Sequence, residues 1–349
     1  ITMDEQELNS YFSSYGDLNV HKVMLTDVPR IDAYYNAIQK NKKKIENKIV
    51  MDVGAGTGIL SIFCAKAGAK KVYAVEASPK LIPILKEVIK DNGCEEVIEV
   101  VYGDVESIEV SENVDVLISE WMGHYLLHES MLDSVINARR FLSSESVILP
   151  HKATIYVALC DLPQLTSQWS NVKGVNLEAA TGLYRKEATS YMHVENISYE
   201  SLMSLPKELC SFDVTRVSHD DIQNNVLRTV MVANKNGTVE GINIWWDVEF
   251  PENVVLSTSP FSSKTHWKQT IILFPKPLLV TSGTPIACEV SINKQDQRVF
   301  TISLSLYDAE EEDHDIPCSC YMDKCKVASE YYLNSAVQIK EEPPSPPSE

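Results

Sequence analysis

Residues 50–60 read VMDVGAGTGIL, and this stretch decides the fold. Its apolar start shows no polar alternation, which predicts a strand buried on both faces of a parallel sheet. Gly54, Gly56 and Gly58 follow at the point where the strand ends and a helix begins. The spacing is G-x-G-x-G, with Ile59 where a dinucleotide fingerprint has its third glycine. The loop therefore predicts close approach of a nucleoside without a full pyrophosphate cradle.

Three further apolar runs continue this pattern up to residue 150. They read KVYAVE, VIEVVYGD and VDVLISE, and the stretches between them, such as SPKLIPILKEVIKDNG, have helical periodicity. Strands that alternate with helices build a parallel sheet covered on both faces. We therefore predict that residues 48–150 form a doubly wound, Rossmann-like α/β domain.

The pattern changes after Pro150. Runs such as ATIYVAL, INIWWDVEF and FTISLSLYD are separated by turn clusters and show little helical periodicity. We predict a mostly antiparallel β domain, a sandwich or a barrel, over residues 151–339, with a helical excursion at about 174–207. Residues 340–349 are rich in Pro, Ser and Glu, and we expect this tail to be disordered.

Composition limits the classes of function. Hydrophobic residues make up 44% of the 349 residues and charged residues 23%, and no apolar run is long enough for a membrane span. The formal net charge of −18 disfavours binding to nucleic-acid phosphates and favours basic peptides. The alternative, that the charge serves only solubility, is equally open. We expect a chain of the cytosol or nucleus with no membrane partner.

The eight cysteines are expected to be reduced thiols, because disulfide frameworks belong to short secreted domains. Cys318, Cys320 and Cys325 lie close together in sequence. A zinc site needs a fourth ligand, and none follows Cys325 at a suitable spacing. We therefore expect chance clustering in a terminal strand and no metal site.

Acidic residues follow the second and third predicted strands. Glu76 lies where a carboxylate of a doubly wound sheet accepts hydrogen bonds from ribose hydroxyls. Asp104 and Glu106, in GDVE, are placed to meet a base with an exocyclic amine. A nucleoside without a phosphate cradle points to S-adenosylmethionine as the cofactor. Its carboxylate needs a cation, for which His21 and Arg30 are the candidates.

One segment carries two acids among apolar and aromatic residues. Residues 119–132 read SEWMGHYLLHESML, with Glu120 and Glu129 as the two acids. Burying an unpaired carboxylate is costly, so a cation is expected beside or between them. The residues of this segment alone leave open where that cation comes from.

These motifs together resemble the type I protein arginine N-methyltransferases. The resemblance rests on YFSSY at 11–15, the glycine loop, the segment 119–132 and THWKQ at 265–269, and it extends to about residue 335. It implies an N-terminal helical segment, residues 1–47, that closes over the cofactor. It also implies a β-barrel domain with a dimerisation arm at about 174–207, and a head-to-tail homodimer.

The resemblance assigns roles to the matching positions. The cofactor-binding set is His21, Arg30, Gly54, Glu76, Glu106, Tyr11 and Met24, and the catalytic set is Glu120, Glu129, His266 and Asp27. The implied substrates are arginine-rich proteins such as histone tails, and the products are mono- and asymmetric dimethylarginine. The implied compartment is the nucleus, with the cytoplasm as the second.

The resemblance implies that the missing cation is an arginine of the substrate, which leaves both carboxylates unpaired while the site is empty. The residues then indicate a mechanism. Two carboxylates around one planar guanidinium pin it by charge-assisted hydrogen bonds, so one nitrogen is left to attack the methyl group. His266, paired with Asp27, is the candidate proton relay, and the alternative is that it only braces the domain junction. His124 departs from the tyrosine that the family usually has, which places an imidazole between the two acids.

Two other functions are compatible with the fold. A methyltransferase of a small molecule or nucleic acid is disfavoured, because SEWM stands where an Asn/Asp-Pro-Pro-aromatic segment would follow the fourth strand. A non-catalytic adaptor for arginine-rich partners is disfavoured because Glu76, Glu120, Glu129 and Arg30 are all present.

Overall fold

The structure, a computed structural model, describes residues 17–296 and 298–341 of the chain. Within the described residues, three helices precede the first sheet: α1 (Leu18–Leu25), α2 (Val28–Lys40) and α3 (Lys42–Ile45). Asp27 caps α2, because its Oδ1 accepts a hydrogen bond of 3.1 Å from the Arg30 backbone N–H. Pro29 stands in the first turn of α2, where its missing N–H leaves no hydrogen bond unmade. Asp27 and Pro29 together fix where α2 begins.

A parallel sheet lies at the centre of the first domain. Its strands are β1 (Ile49–Val53), β2 (Lys71–Glu76), β3 (Ile98–Tyr102), β4 (Val114–Ser119) and β5 (Leu142–Leu149). The connecting helices are α4 (Ile59–Lys66), α5 (Ile82–Asp91) and α6 (Met131–Ala138), with 3₁₀ turns at His128–Ser130 and Arg139–Phe141. The spatial order is β3-β2-β1-β4-β5. The order reverses between β1 and β4, and ligands of open α/β sheets bind at such a switch point.

The second domain is built from antiparallel sheets. Its strands are β6 (Lys152–Cys160), β7 (Asn171–Val172), β8 (Val175–Asn176), β9 (His193–Glu195), β10 (Lys207–Asp213), β11 (Asn224–Val232), β12 (Gly237–Phe250), β13 (Val254–Ser257), β14 (Gln269–Val280), β15 (Pro285–Asp296) and β16 (Val299–Tyr307). Its helices are α7 (Pro163–Thr166), α8 (Glu178–Ala188) and α9 (Asp323–Glu341), with a 3₁₀ turn at Tyr199–Ser201. One sheet has the order β10-β6-β12-β14-β9 with β13 beside β12, a second is β11-β15-β16, and β7 pairs with β8.

Helix α2 joins the two domains. Tyr34, on α2, is fully buried, and its hydroxyl donates a hydrogen bond of 2.8 Å to the Ser119 carbonyl at the end of β4. The edge of its ring meets Phe250 of β12 at a centroid distance of 4.9 Å. A buried tyrosine that satisfies its hydroxyl in one domain and packs its ring against the other fixes their relative position at the switch point.

The predicted fold class is confirmed, with three local differences. Strand β5 was not predicted, because its sequence LSSESVIL begins with polar residues that resemble a loop. The expected terminal strand around residue 325 is instead the start of α9, which also includes residues 340 and 341 of the predicted tail. Residues 342–349 and Tyr11 lie outside the described residues. Among the described helices, none is both long and apolar enough to cross a membrane.

Candidate active site

The glycine loop lies at the switch point, directly after β1. Gly54 and Gly56 have positive φ angles of 76° and 57°, which residues with a Cβ rarely adopt. A Cβ at Gly54 would lie 3.2 Å from the Met131 side chain, and one at Gly56 would lie 3.2 Å from Cε1 of His21. The glycines therefore keep open the space that His21 covers from α1.

Glu76 is oriented by backbone donors at the end of β2. Its Oε2 accepts a hydrogen bond of 2.8 Å from the Gly56 N–H, and its Oε1 accepts one of 2.7 Å from the Ser78 N–H. A carboxylate has about four acceptor positions, so these two bonds leave capacity for two hydroxyls. The predicted ribose acceptor thus lies beside the glycine loop, buried and held in one orientation.

Glu106 has a different environment from the one predicted. Its Oε1 accepts hydrogen bonds from the Ser134 hydroxyl at 2.9 Å and from the Asn137 amide at 3.2 Å, both on α6. The neighbouring Asp104 accepts a bond of 2.9 Å from the Ser107 N–H. Both acids still line the cavity described next, but α6 already occupies one oxygen of Glu106.

A single cavity of about 370 Å³ joins the glycine loop to the segment 119–132. Of the predicted residues, those that line it are His21, Met24, Arg30, Gly54, Glu76, Glu106, Glu120, Glu129 and His266. Asp27 lies behind this wall and reaches the cavity through His266. The residues predicted to bind a nucleoside and the two acids therefore face the same space.

Arg30 and Glu120 form an ion pair, which corrects the expectation that both acids await a cation from outside. Nη2 and Nε of Arg30 donate to Oε2 of Glu120 at 3.0 and 3.2 Å, and Nη1 donates to the Met24 carbonyl at 3.3 Å. The two side chains are only 7% and 11% exposed. Burial makes an unpaired carboxylate costly, and α2 supplies the compensating charge within the chain.

Glu129 is held differently from Glu120. Its backbone has φ +74° and ψ −3°, a left-handed conformation that is strained for glutamate. Its carbonyl accepts a hydrogen bond of 3.3 Å from Nη1 of Arg298, and its carboxylate lies 3.5 Å from Nδ1 of His128. Its side chain is 28% exposed. Helix α6 begins at Met131, directly after this strained turn.

Three side chains that were not assigned a role from the sequence hold the segment 119–132 in place. Trp267 donates its indole N–H to the Met122 carbonyl at 2.8 Å, and Trp246 donates to the Gly123 carbonyl at 3.0 Å. Arg298, in the turn between β15 and β16, also lines the cavity. Trp267 lies within the THWKQ motif, whereas no sequence motif singled out Trp246 or Arg298.

His124 lies at the tip of this segment. Its Nδ1 is 3.1 Å from the Trp267 carbonyl, which can only accept, so Nδ1 carries the proton. His124 lines the cavity together with Glu120 and Glu129. The imidazole thus adds a titratable group to the cavity at the position where the family usually has a phenol.

His266 and Asp27 meet across the domain junction. Asp27 Oδ2 lies 2.6 Å from Nδ1 of His266 and accepts the His266 backbone N–H at 2.7 Å. Burial acts to raise the pKa of Asp27, but the hydrogen bonds from His266 and from the Arg30 backbone outweigh it, so the pKa lies below its ordinary value. Asp27 is therefore ionised, and it orients His266 with Nε2 as the remaining acceptor.

Asp52, on β1, is a buried acid that the sequence did not single out. Its side chain is fully buried, and Oδ2 accepts a hydrogen bond of 2.7 Å from the Ser61 hydroxyl. Burial raises the pKa of Asp52 to about 7, and the charge of Glu76 adds to the rise. Hydrogen bonds from Ser61 and the charge of Arg30 oppose it. Close to neutral pH, the glycine loop therefore lies beside an acid that exchanges a proton.

The Arg30–Glu120 pair makes a testable contribution to stability. Arg30→Met leaves a nearly buried carboxylate without its cation, so we expect the free energy of unfolding to fall by about 3–5 kcal/mol. Glu120→Gln in the Arg30→Met background should cost much less than Glu120→Gln alone. Urea denaturation of the four proteins gives the coupling.

The exposed pair Lys90 and Glu87, 4.0 Å apart on α5, is the matched control for that cycle. Its coupling should be about 0.5 kcal/mol or less, because solvent screens both charges. Equal couplings in the two cycles would show that burial of the Arg30–Glu120 pair has no energetic consequence.

The raised pKa of Asp52 predicts that the stability of the fold depends on pH. Because its folded pKa is raised to about 7, its neutral form stabilises the fold below the ordinary pKa of 3.8, and this contribution is lost as the pH rises through about 7. From pH 5 to 8, the free energy of unfolding of the wild type should fall relative to Asp52→Asn, by at most about 1.4 kcal/mol per pH unit.

Urea denaturation of both proteins at four pH values measures this difference, with the exposed Asp91→Asn as a control for loss of one carboxyl group. Stability curves of wild type and Asp52→Asn that stay parallel from pH 5 to 8 contradict the raised pKa.

Comparisons with known proteins agree with this geometry. A family model described as "Arginine methyltransferase oligomerization subdomain" matches residues 151–311. A second model, described as "TRM5/TYW2 methyltransferase domain", matches residues 19–158. The boundary between the two matches falls close to the junction of the parallel sheet and the antiparallel domain.

Similar proteins cover most of the chain. A Danio rerio protein named protein arginine N-methyltransferase 6 is 38% identical over 317 residues, which cover 87% of this chain and 90% of that protein. A Trypanosoma brucei structure, the "PRMT1 enzyme-prozyme heterotetrameric complex with AdoHcy", superposes with a TM-score of 0.74 at 32% identity, covering 86% of this chain and 98% of that one. The structure described as "Crystal structure of PRMT6-SAH" gives 0.73 at 31% identity, covering 83% and 100%. The chain belongs to the protein arginine N-methyltransferase family.

Proposed function

We propose that this protein transfers methyl groups from S-adenosylmethionine to guanidino nitrogens of arginine residues in proteins. The observation that carries the proposal is the cavity in which Glu120 and Glu129 face the same space as the glycine loop and Glu76. A cavity with a nucleoside site on one side and two carboxylates on the other suits a cationic acceptor next to a methyl donor.

The residues present fit S-adenosylmethionine. Glu76 has acceptor capacity for ribose hydroxyls, and Gly54 and Gly56 keep open a space that a Cβ would fill. Arg30 has five N–H groups, of which three are used by Glu120 and the Met24 carbonyl, so two can bind a carboxylate. His21 covers the loop from α1. The cofactor supplies an electrophilic methyl group on a sulfonium.

Glu120 and Glu129 orient the substrate. Arg30 fixes Oε2 of Glu120, and its Oε1 accepts the Met122 N–H at 3.2 Å, so this carboxylate is held before substrate enters. Hydrogen bonds from a guanidinium to both acids draw its positive charge towards them and leave electron density on the nitrogen that attacks the methyl group. Preorganised charges of this kind need no rearrangement during the reaction.

His266 takes up the proton that methylation releases. Its Nδ1 is engaged by Asp27, so Nε2 is the atom that accepts the proton, and the carboxylate of Asp27 stabilises the resulting imidazolium. The same pair braces the domain junction, because Asp27 belongs to the α2 cap and His266 follows β13 in the second domain. The two roles are compatible.

Met24 and the net charge bear on the product and on the substrates of the enzyme. Met24 lines the cavity and is less bulky than an aromatic residue, which supports asymmetric dimethylarginine as the product and hence a type I enzyme. The net charge of −18 supports basic substrates such as histone tails, and with them a nuclear location.

A homodimer is also proposed. Helix α8 carries Leu183, which is 73% exposed, within the segment 174–207 that the resemblance assigns to a dimerisation arm. The match of residues 151–311 to an oligomerization subdomain supports the same arrangement. An exposed leucine on an arm is typical of a surface that a second copy covers.

Glu129→Gln tests the proposed chemistry. The variant keeps the size of the side chain and removes the charge that holds the guanidinium, so transfer should fall by at least about 100-fold, which corresponds to the loss of one strong electrostatic contact. Labelled S-adenosylmethionine and an arginine-rich histone tail peptide are the substrates, and mass spectrometry identifies the methylated residue. The wild-type product should be mono- and asymmetric dimethylarginine.

Calorimetric titration with S-adenosylmethionine is the control for that variant, which should bind the cofactor within a few-fold of the wild type. The exposed Glu95→Gln, in the turn before β3, controls for loss of one charge and should keep wild-type turnover. If Glu129→Gln turns over as fast as the wild type, the acid pair does not orient the substrate as proposed. Symmetric dimethylarginine from the wild type contradicts the type I proposal, and no transfer by the wild type contradicts the function.

A further inference from the structure

The loop after β16 and the first turn of α9 together carry four side chains that can bind a metal ion. They are His314, Cys318, Cys320 and Cys325, whose donor atoms all lie within 4.8 Å of one another. Each of the three cysteines is a free thiol. None of the four residues lines the cavity of the candidate active site. The cluster therefore needs an explanation of its own.

The expectation of no metal site rested on an incomplete set of candidate ligands. It considered only ligands that follow Cys325, whereas the fourth donor, His314, precedes the cysteines. The spacing is H-x₃-C-x-C-x₄-C, which puts three of the chain's eight cysteines within residues 318–325. The start of α9 folds Cys325 back onto the loop, so residues spread over twelve positions reach one point.

The distances fit a tetrahedral ion. Nδ1 of His314 lies 3.5, 3.4 and 3.1 Å from the sulfurs of Cys318, Cys320 and Cys325. Zinc binds thiolate sulfur at about 2.3 Å and imidazole nitrogen at about 2.0 Å, which sets sulfur and nitrogen ligands roughly 3.5 Å apart in a tetrahedron. The distances from the imidazole nitrogen to the three sulfurs are therefore close to those between ligands of one tetrahedral zinc ion.

His314 also has the correct tautomer. Its Nε2 lies 2.9 Å from the Ala309 carbonyl, which can only accept a hydrogen bond, so the proton is on Nε2. Nδ1 then carries the lone pair and points at the sulfurs. A backbone carbonyl that holds the second nitrogen of a histidine is the usual outer partner of a metal-bound imidazole.

The surroundings are those of a structural site. Cys320 and Cys325 are 4% and 2% exposed. The Cys318 N–H donates to the Ser329 hydroxyl of α9 at 3.1 Å, and the Tyr321 N–H donates to the Gly283 carbonyl at 3.1 Å. These bonds tie the loop to α9 and to the turn before β15. Four protein ligands leave no open position for a substrate, which is the pattern of structural zinc.

We propose that His314, Cys318, Cys320 and Cys325 bind one Zn²⁺ ion that fastens α9 to the β domain. The three thiols bind as thiolates and release their protons on metal binding. The ion takes no part in methyl transfer. It links the loop after β16 to the first turn of α9, a helix whose apolar side chains Val327 and Leu333 are 68% and 58% exposed.

The test measures bound metal on the purified full chain. Expression in zinc-supplemented medium and purification without chelator should give about one zinc per chain by elemental mass spectrometry. Cys325→Ser and His314→Ala should lower zinc affinity by more than the roughly 10–100-fold that loss of an outer partner costs. Cys210→Ser, which removes a partly buried thiol outside the cluster, should keep the wild-type content.

Cobalt gives a second readout that does not depend on the stability of any variant. Co²⁺ in a tetrahedral thiolate site absorbs in the visible range, so titration of metal-free wild type should saturate at one equivalent and be reversed by zinc. Wild type without zinc and without this absorption overturns the proposal, as does a disulfide among the three cysteines or equal zinc in Cys325→Ser. Neither readout uses methyl transfer, so failure here leaves the proposed function untouched.

Discussion

Arg30 and Glu120 lie 90 positions apart in sequence, and their side chains meet at 3.0 Å where α2 crosses the end of β4. Asp27 and Arg30, at the start of α2, make the contacts that connect this helix to both domains. Asp27 caps α2 with one carboxylate oxygen and holds His266 of the β domain with the other, while Arg30 reaches the parallel sheet. The first turn of α2 thus connects its own helix, the acid at the switch point and the second domain. A shift of α2 would leave a nearly buried carboxylate without its cation, which makes any other packing of this helix costly.

Because of that constraint, the two acids of the site are held in different ways. Glu120 is held by the chain itself, whereas Glu129 lies on a left-handed turn with a more exposed side chain. The segment between them is fixed by indole N–H groups of Trp246 and Trp267, which bind its backbone carbonyls from the β domain. The second domain therefore positions the acids of the first. This arrangement explains why the β domain is part of the site although the residues proposed to bind the cofactor belong to α1, α2 and the parallel sheet.

Periodicity and turn residues were enough to predict the architecture, because buried strands and a glycine loop leave a direct trace in sequence. Cavity residues that follow strands of the parallel sheet, such as Glu76 and Glu120, were predicted from the residues, whereas Met24 was predicted only from the resemblance and Arg298 was missed. Partners distant in sequence were not predictable in this way. The pairing of Arg30 with Glu120 depends on how α2 crosses the sheet, and the hydrogen bonds of Glu106 depend on α6. His314 was not predicted as a ligand because it precedes the cysteines, and only the fold shows that its side chain meets all three of them.

The arrangement of Glu120 and Glu129 matches a planar guanidinium as the group that accepts the methyl. Competition between two otherwise identical peptides, one with a single arginine and one with lysine in its place, tests this directly. Two carboxylates match the several N–H groups of a guanidinium, and an ammonium group offers a point charge with no second nitrogen to be bound. With labelled S-adenosylmethionine and equal concentrations of both peptides, the label should appear in the arginine peptide alone. Equal labelling of the lysine peptide would contradict the account.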